Sequence, residues 1–333
     1  MRFSLTYLIN LVLAITSTYP APGPCAGDCW AHDPGFCQRR SDGRYFRFAS
    51  GDGIHIHEAN SLTGPWKSTG VALSNGSIID HPGRTKLWAP DVHYEPEANK
   101  YYMYYAVSTR GSHDSVIGVA SSTDMTPGTW TDHGTVLHST VQSRYNAIDA
   151  NWVSVKGKPY LNFGSYWDGL FQVPLDNALR IPHGADNEAS NLAYNGSANH
   201  HIEAPFIFQY QGWYYLLFSS GKAAGYEKEL PKQGEEYRVV VCRSKWSSRD
   251  FIDREGRPCL ESGGTTLLSS HEHIYGPGGQ GVFEDKKYGH VLYYHYADKA
   301  IGLSRFQYQF GWNQIGWKDG WPVLSWKPSK SGS

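Results

Sequence analysis

An acidic residue set among small or apolar neighbours, shortly ahead of an aromatic-rich run, occurs four times along this chain. Asp33 lies in HDPGF, Asp91 in LWAPDVHY, Asp149 in NAIDANWV and Glu203 in HIEAPF, and the runs that follow are GRYFRFAS, NKYYMYYAVS, GKPYLNFGS and GWYYLLFSS. The acids recur roughly 54 to 58 residues apart, and a fifth, degenerate copy, YGPGGQGVF followed by GHVLYYHYA, comes roughly 76 after Glu203. Several short strands repeated at a period near 50 read as a β-propeller rather than a sandwich. The expected architecture is therefore all-β, a five-bladed β-propeller. The first strand of each blade should line the central axis and bring acids distant in sequence to one mouth of it.

Composition agrees with that expectation. Of 333 residues, 14% are aromatic and 36 are Gly, with 18 Pro and only 18% charged, an excess of turn formers and aromatics that favours strands and loops over helices. The repeat uses nearly everything after the N-terminus, so residues 21–333 read as one closed domain. A formal charge of -1 without a polybasic run gives no attraction to nucleic acid or an anionic membrane, and points to a neutral polymer as partner. Residues 1–20 read as a secretory signal peptide: Arg2 supplies the positive start, Leu8 to Ile15 an apolar core too short to span a bilayer, and Thr16 to Tyr19 the exit. Export to the extracellular space also fits the glycosylation sequons at Asn75 and Asn195.

Five cysteines are an odd number for an oxidising compartment. Cys242 and Cys259 bracket a strand and a polar turn and are the first choice for a disulfide. Cys25, Cys29 and Cys37 crowd the mature N-terminus, where one pair would leave one thiol over. Their spacing lacks the second ligand pair of a zinc site.

Along the chain, blade 1 takes the strands around 44–50 and 53–57 and ends at GPWKSTG. Blade 2 repeats the order and ends at GTWTDHG, so Trp66 and Trp130 should each stand at a short outer strand. Blade 3 holds PYLNFGS and GLFQVPL, blade 4 YYLLFSS and YRVVVCRSK, and blade 5 HVLYYHYA, AIGLSRFQY and GWKDGWPVL. The polar insertion 222–236 should be a surface loop or short helix. The loop 181–199 reads either as a wall of the cleft or as a glycosylated surface loop.

Carboxylates around one hollow suit glycoside hydrolysis. Inverting enzymes need two carboxyl groups roughly 6.5 to 9.5 Å apart, one a neutral acid and one an ionised base that activates water. Glu203 has the longest side chain and apolar neighbours, and desolvation there would raise its pKa, which suits a general acid. Asp33, followed by Pro34 and Gly35, suits the base. Asp149, between Ile148 and Ala150, suits a modulator of Glu203. Asp91 follows Pro90 and reads as a turn or cap acceptor, without a catalytic role.

HDP, LWAPDV, NAIDANW, NFGSYWDGL and IEAPF, in this order and at these spacings, resemble glycoside hydrolase family 43 and, within it, the secreted fungal endo-1,5-α-L-arabinanases. The resemblance covers essentially the whole mature chain. It implies a glycosidase that cleaves internal α-1,5 bonds of arabinan in pectin with inversion, Asp33 the base, Asp149 the modulator of pKa and Glu203 the acid. Bacterial relatives in the family carry GPGH in the fifth motif, with a His that helps hold an axial ion; this chain has Gly276-Pro-Gly-Gly-Gln280. No cofactor is expected to be required, and an axial calcium would lack that ligand. His271 and His273 are the substitutes, or else surface-loop residues.

For the sugar, Trp88 and Trp167 are the best-placed aromatic platforms, with Asn146 and Ser165 as hydroxyl partners; Trp88 reads equally as core. Trp66, Trp130 and Trp213 read as packing between blades. The expected working unit is a monomer. Three rival functions remain: an exo-acting α-L-arabinofuranosidase or β-xylosidase on the same scaffold, a sugar-binding propeller without catalysis, and a metal-dependent hydrolase using the two histidines.

Overall fold

Segments such as Lys100–Val107 (KYYMYYAV) and Trp213–Ser220 (WYYLLFSS) are aromatic and apolar at nearly every position, without the alternation of a strand that has one wet face. Every residue of each but the first is buried. A strand buried on both faces must lie between two other layers. In the computed structural model, which describes residues 19–325, those layers are neighbouring blades of a five-bladed β-propeller. All but two residues of the expected signal segment 1–20 lie outside the described part.

Each blade is an antiparallel meander. The innermost strands are Gly35–Gln38, Lys86–Glu95, Asn151–Val155, Ile202–Tyr210 and Ile274–Asp285. The second strands are Tyr45–Ala49, Lys100–Val107, Lys158–Phe163, Trp213–Ser220 and Gly289–Asp298. Blade 2 gains a fifth strand, Gly51–Asp52, which leaves blade 1 to pair with Lys86 and Leu87. Five apolar clusters fill the five gaps between consecutive blades. Phe46, Phe48 and Ile56 of blade 1, for example, meet Leu87, Met103 and Tyr105 of blade 2.

Except at Lys86 and Leu87, which pair with Gly51–Asp52, the innermost strands have no ladder partner on their axial side, so a missing N–H costs no ladder bond there, and Pro34, Pro90, Pro205 and Pro277 all sit at these strands. Among the described residues, no blade is completed by a strand from the other end of the chain. Closure falls to the N-terminal segment, which runs in the seam between blades 5 and 1. Gly23 donates its N–H to the Trp312 carbonyl (2.7 Å), Phe310 to Cys29 (2.7 Å) and Trp66 to Ala26 (2.8 Å). Trp66 and Trp130 are buried immediately ahead of the outer strands Lys67–Val71 and Thr131–Ser139, and Trp213 is half-buried under Arg243 and Lys245.

Cys242 pairs with Cys259, and Cys25 with Cys29, leaving Cys37 as the free thiol. Two expectations are corrected. The loop 181–199 contributes neither to the cleft nor only to surface: it carries a short 3-10 helix, Ala185–Glu188, and the outer strand of blade 3, Ser190–Ala193. The AIGLSRFQY segment is a turn and a 3-10 helix, Arg305–Gln307; the third strand of blade 5 begins after it, at Gln309–Lys318. The insertion 222–236 is a surface loop, its ends joined by Lys222 and Glu236. Among the described residues, no helix is long and apolar enough to cross a membrane.

Candidate active site

A left-handed residue recurs at the same place in every blade. Asp33 (φ 46°), Ala89 (40°), Asp149 (56°), Ala204 (55°) and Gly279 (58°) all stand at or just before the innermost strand, and in blades 2, 4 and 5 the ladder bulges there. L-residues in this region are uncommon, Asp less so than Ala, and such conformations persist where the surroundings over-determine them. The repeat is thus one of backbone, and the acids sit differently upon it. Asp33 and Asp149 occupy the left-handed position itself, Glu203 precedes it by one residue and Asp91 follows it by two. In blade 5 the corresponding stretch is Gly278-Gly279, where a Cβ on Gly278 would meet the ring of Tyr237 and one on Gly279 would lie 2.8 Å from Asp33 Oδ1. Packing against the neighbouring blades therefore excludes a fifth acid.

Asp33, Asp149 and Glu203 line one cleft of about 520 Å³ across the mouth of the axis. Ser50 Oγ donates to Asp33 Oδ2 (3.1 Å) while accepting the Ala89 N–H (2.8 Å). The Asp33 N–H donates to Nδ1 of the buried His295 (3.0 Å), and His32 Nε2 stands 3.6 Å from Asp33 Oδ2. Burial pushes the Asp33 pKa up, but the charges of His32 and His295, the Ser50 hydroxyl and Arg305 together outweigh it and hold it below its ordinary value. Glu203 is held differently. Its Oε1 accepts from the Tyr237 hydroxyl (2.8 Å) and its Oε2 from Ser165 Oγ (3.2 Å). Burial, assisted by the negative charge of Asp33, nevertheless raises its pKa to about 7 against both hydrogen bonds. Asp149 accepts the Ala204 N–H (3.2 Å) and lies well above its ordinary value, through burial first and then the charges of Glu203 and Asp33. Two buried carboxyls that repel in this way cannot both be ionised at once.

All four residues expected to bind sugar line the same cleft. Trp167 follows Tyr166, and both are left-handed (37° and 52°), which turns the indole out to stack on His113 at 4.1 Å. Asn146 is buried with its Oδ1 unpartnered. Trp88 is half-buried. The Ser165 hydroxyl is engaged with Glu203. Sequence reasoning missed His295, which reaches Asp33 from the second strand of blade 5, and Ser50 and Tyr237, which reach Asp33 and Glu203 from just outside strands of the acids' own blades. Arg305 and Phe306, misread as strand, line the cleft, as does Lys222 from the insertion.

Asp91 requires correction. It lies within the innermost strand of blade 2, beside the narrow axial cavity of about 40 Å³ beneath the cleft, and accepts the Trp152 N–H of blade 3 (2.8 Å). It is a tie between blades and not a local turn acceptor, and burial raises its pKa to about 7.

His271 and His273 lie ahead of blade 5 and line neither the cleft nor the axial cavity; His271 Nδ1 contacts the Ser269 carbonyl (2.8 Å). Gly279 stands where the family motif has its histidine, and the next residue, Gln280, donates to the Ala204 carbonyl (2.8 Å) and accepts from Ser219 (2.7 Å). His295 Nδ1 is already occupied by the Asp33 N–H, and among the described residues no trio of His, Cys, Asp or Glu donor atoms converges on the axis. The described side chains thus group no three ligand atoms at the axis, while Nε2 of the buried His295 has no partner.

A five-bladed propeller with one depressed and two raised carboxyls on one axial cleft defines a carboxylate-based glycoside hydrolase. The profile of Glycosyl hydrolases family 43 matches residues 29–322, and the chain belongs to that family. It is 59% identical, over 92% of its length and 95% of the relative's, to arabinan endo-1,5-alpha-L-arabinosidase C of Emericella nidulans. Its fold is similar to the Bacillus subtilis arabinanase Arb43A, with a TM-score of 0.77, 28% identity and coverage of 90% of this chain and 98% of that one. An exo-1,5-alpha-L-arabinanase from a bovine ruminal metagenomic library is similar to nearly the same degree, at a TM-score of 0.75 and 27% identity over 92% and 98% of the two chains.

Proposed function

We propose that this chain is an inverting endo-1,5-α-L-arabinanase that cleaves internal bonds of arabinan outside the cell. The observation that carries the chemistry is the opposed displacement of two carboxyls on one cleft, Asp33 held down and Glu203 pushed up to about 7. At mildly acidic pH Asp33 is ionised and takes a proton from water, while Glu203 keeps the proton that it delivers to the leaving glycosidic oxygen. Asp149 stands beside Glu203 and makes ionisation of the pair costly, which keeps that proton in place. Ser50 and the Asp33 N–H contact with His295 orient the base; Ser165 and Tyr237 orient the acid.

Preference for internal bonds is supported by the curated relative's name and by a cleft that runs across residues of all five blades. Because an exo-acting structure shares the fold, the backbone does not distinguish the two modes. Secretion is supported by the pattern of residues 1–20 and by the two disulfides, which persist in oxidising compartments.

The test uses linear arabinan. Viscosity should fall ahead of reducing-end release, and arabinose as the sole early product would reject the endo mode. Glu203→Gln should lower kcat by roughly 10²- to 10⁴-fold with the fold intact; unchanged turnover would remove Glu203 from the mechanism and leave another acid, whereas a parent that binds arabinan without cleaving it would be a sugar-binding propeller.

A further inference from the structure

Away from the acids, three side chains from three segments meet at one end of blade 2. His81 comes from the link between blades 1 and 2, Asp114 from the turn ahead of Ser115–Ser122, and His138 from the end of Thr131–Ser139. Nε2 of His81 lies 3.2 Å and Nε2 of His138 2.8 Å from the same oxygen, Asp114 Oδ1, and all three donor atoms fall within 4.8 Å of one another. Among the described residues this is the one such trio.

The tautomer of His81 says what lies between them. Its Nδ1 is 3.1 Å from the Pro82 carbonyl, which can only accept, so Nδ1 carries the proton. The other nitrogen of the neutral ring then presents a lone pair to a carboxylate. Two acceptors facing each other need a cation between them, either a second proton or a metal ion. A backbone carbonyl behind one nitrogen, with the other nitrogen turned to the ligand cluster, is how metal-bound imidazoles are oriented. Four-coordinate zinc, with bonds of about 2.0–2.2 Å, separates its ligand atoms by about 3.3 Å, close to the spacings already present. Two imidazoles and one carboxylate suit zinc, nickel or copper; calcium and magnesium take oxygen ligands.

We propose that His81, Asp114 and His138 bind a divalent ion of the zinc class, with the remaining position left to water, and that the ion fastens a wall of the substrate cleft to the outer edge of blade 2. Residues 109–112, just before Asp114, line the cleft, and His113 stacks on Trp167. Ser139 Oγ, next to His138, donates to the His113 carbonyl (2.8 Å). The ion would thus join the loop and the strand already linked by that bond.

The experiment takes the full chain without a histidine tag, near neutral pH, with Co²⁺ as the visible probe and Zn²⁺ as competitor. One Co²⁺ per chain is expected, with the strong visible bands of a four-coordinate site, displaced by Zn²⁺. Asp114→Ala and His138→Ala, both at exposed positions, should each weaken binding beyond the roughly 10-fold that losing even an outer partner costs. His183→Ala, at another exposed histidine, should not. Zn²⁺ should also raise the Tm of the parent and leave that of both variants unmoved. Absence of binding at micromolar metal, as a proton bridge would give, or equal affinity in the variants, overturns the proposal.

Discussion

Glu203 carries two opposing sets of interactions, and each can be removed singly. The Tyr237 hydroxyl favours the ionised carboxylate, whereas burial and Asp33 favour the protonated one. Tyr237→Phe removes only the first. The alkaline limb of the kcat/KM profile, expected near pH 7 and belonging to the Asp149 and Glu203 pair jointly, should therefore move to higher pH. An unmoved limb would mean that this pair does not set it. The acid limb should lie below the ordinary carboxylate range, since Asp33 is held down. Stability follows the same carboxyl with a definite sign. Folded Glu203 keeps its proton up to about 7, but an unfolded Glu loses it near about 4.3. The native state thus binds more protons across that window, and stability falls as pH rises through it. Glu203→Gln abolishes that loss. Its Tm should exceed the parent's near pH 7 and match it near pH 4, where the carboxyl is protonated in both states.

The innermost strands show what could be read from residue order and what could not. Five aromatic second strands, each too apolar for one wet face, announce the period and hence the blades. The four acids appeared equivalent because each precedes such a strand, yet only Asp33 and Asp149 share a backbone position; the true repeat is a left-handed φ, which Ala89 and Ala204 carry without any residue type to mark it. Pro follows three of those five residues, a context that does not itself favour this conformation. Contacts between blades impose it. The same holds for Tyr237, Ser50 and His295, whose roles depend on the approach of separate strands. Ser190–Ala193 escaped notice because four residues in polar surroundings carry too little periodicity. Gly279 tests the element directly. With φ at 58° and Asp33 Oδ1 2.8 Å from where a Cβ would sit, Gly279→Ala should displace the base as well as strain the strand. Arabinan cleavage should fall by about 10-fold or more, as misplacement of a catalytic group does, with Tm lowered by only a few degrees. A variant with full activity would show that the strand yields without moving Asp33.

At the scale of the whole ring, closure of the described residues rests on packing in one seam, since none of their strands is shared between the two ends. Arg47 is buried there between the rings of Trp66 and Phe310, with its guanidinium carbon 4.7 Å from each centroid. Its Nη2 donates to the carbonyls of Asp28 (2.8 Å) and Trp30 (3.0 Å), binding the N-terminal segment to blade 1. Burial lowers its pKa to about 9, partly countered by Asp28, so the charge is retained at neutral pH at a desolvation cost. A flat guanidinium can satisfy both rings and both carbonyls; an ammonium is more strongly hydrated and cannot stack. Arg47→Lys should therefore destabilise by about 3 kcal/mol or more, in the range for a buried charge deprived of its partners. Arg47→Met keeps the apolar contact with both rings and buries no charge, so it should cost less even though both hydrogen bonds are lost. Urea midpoints of the two variants would decide the matter. If methionine proves as damaging as lysine, the two carbonyl contacts, and not the stacked cation, hold the seam closed.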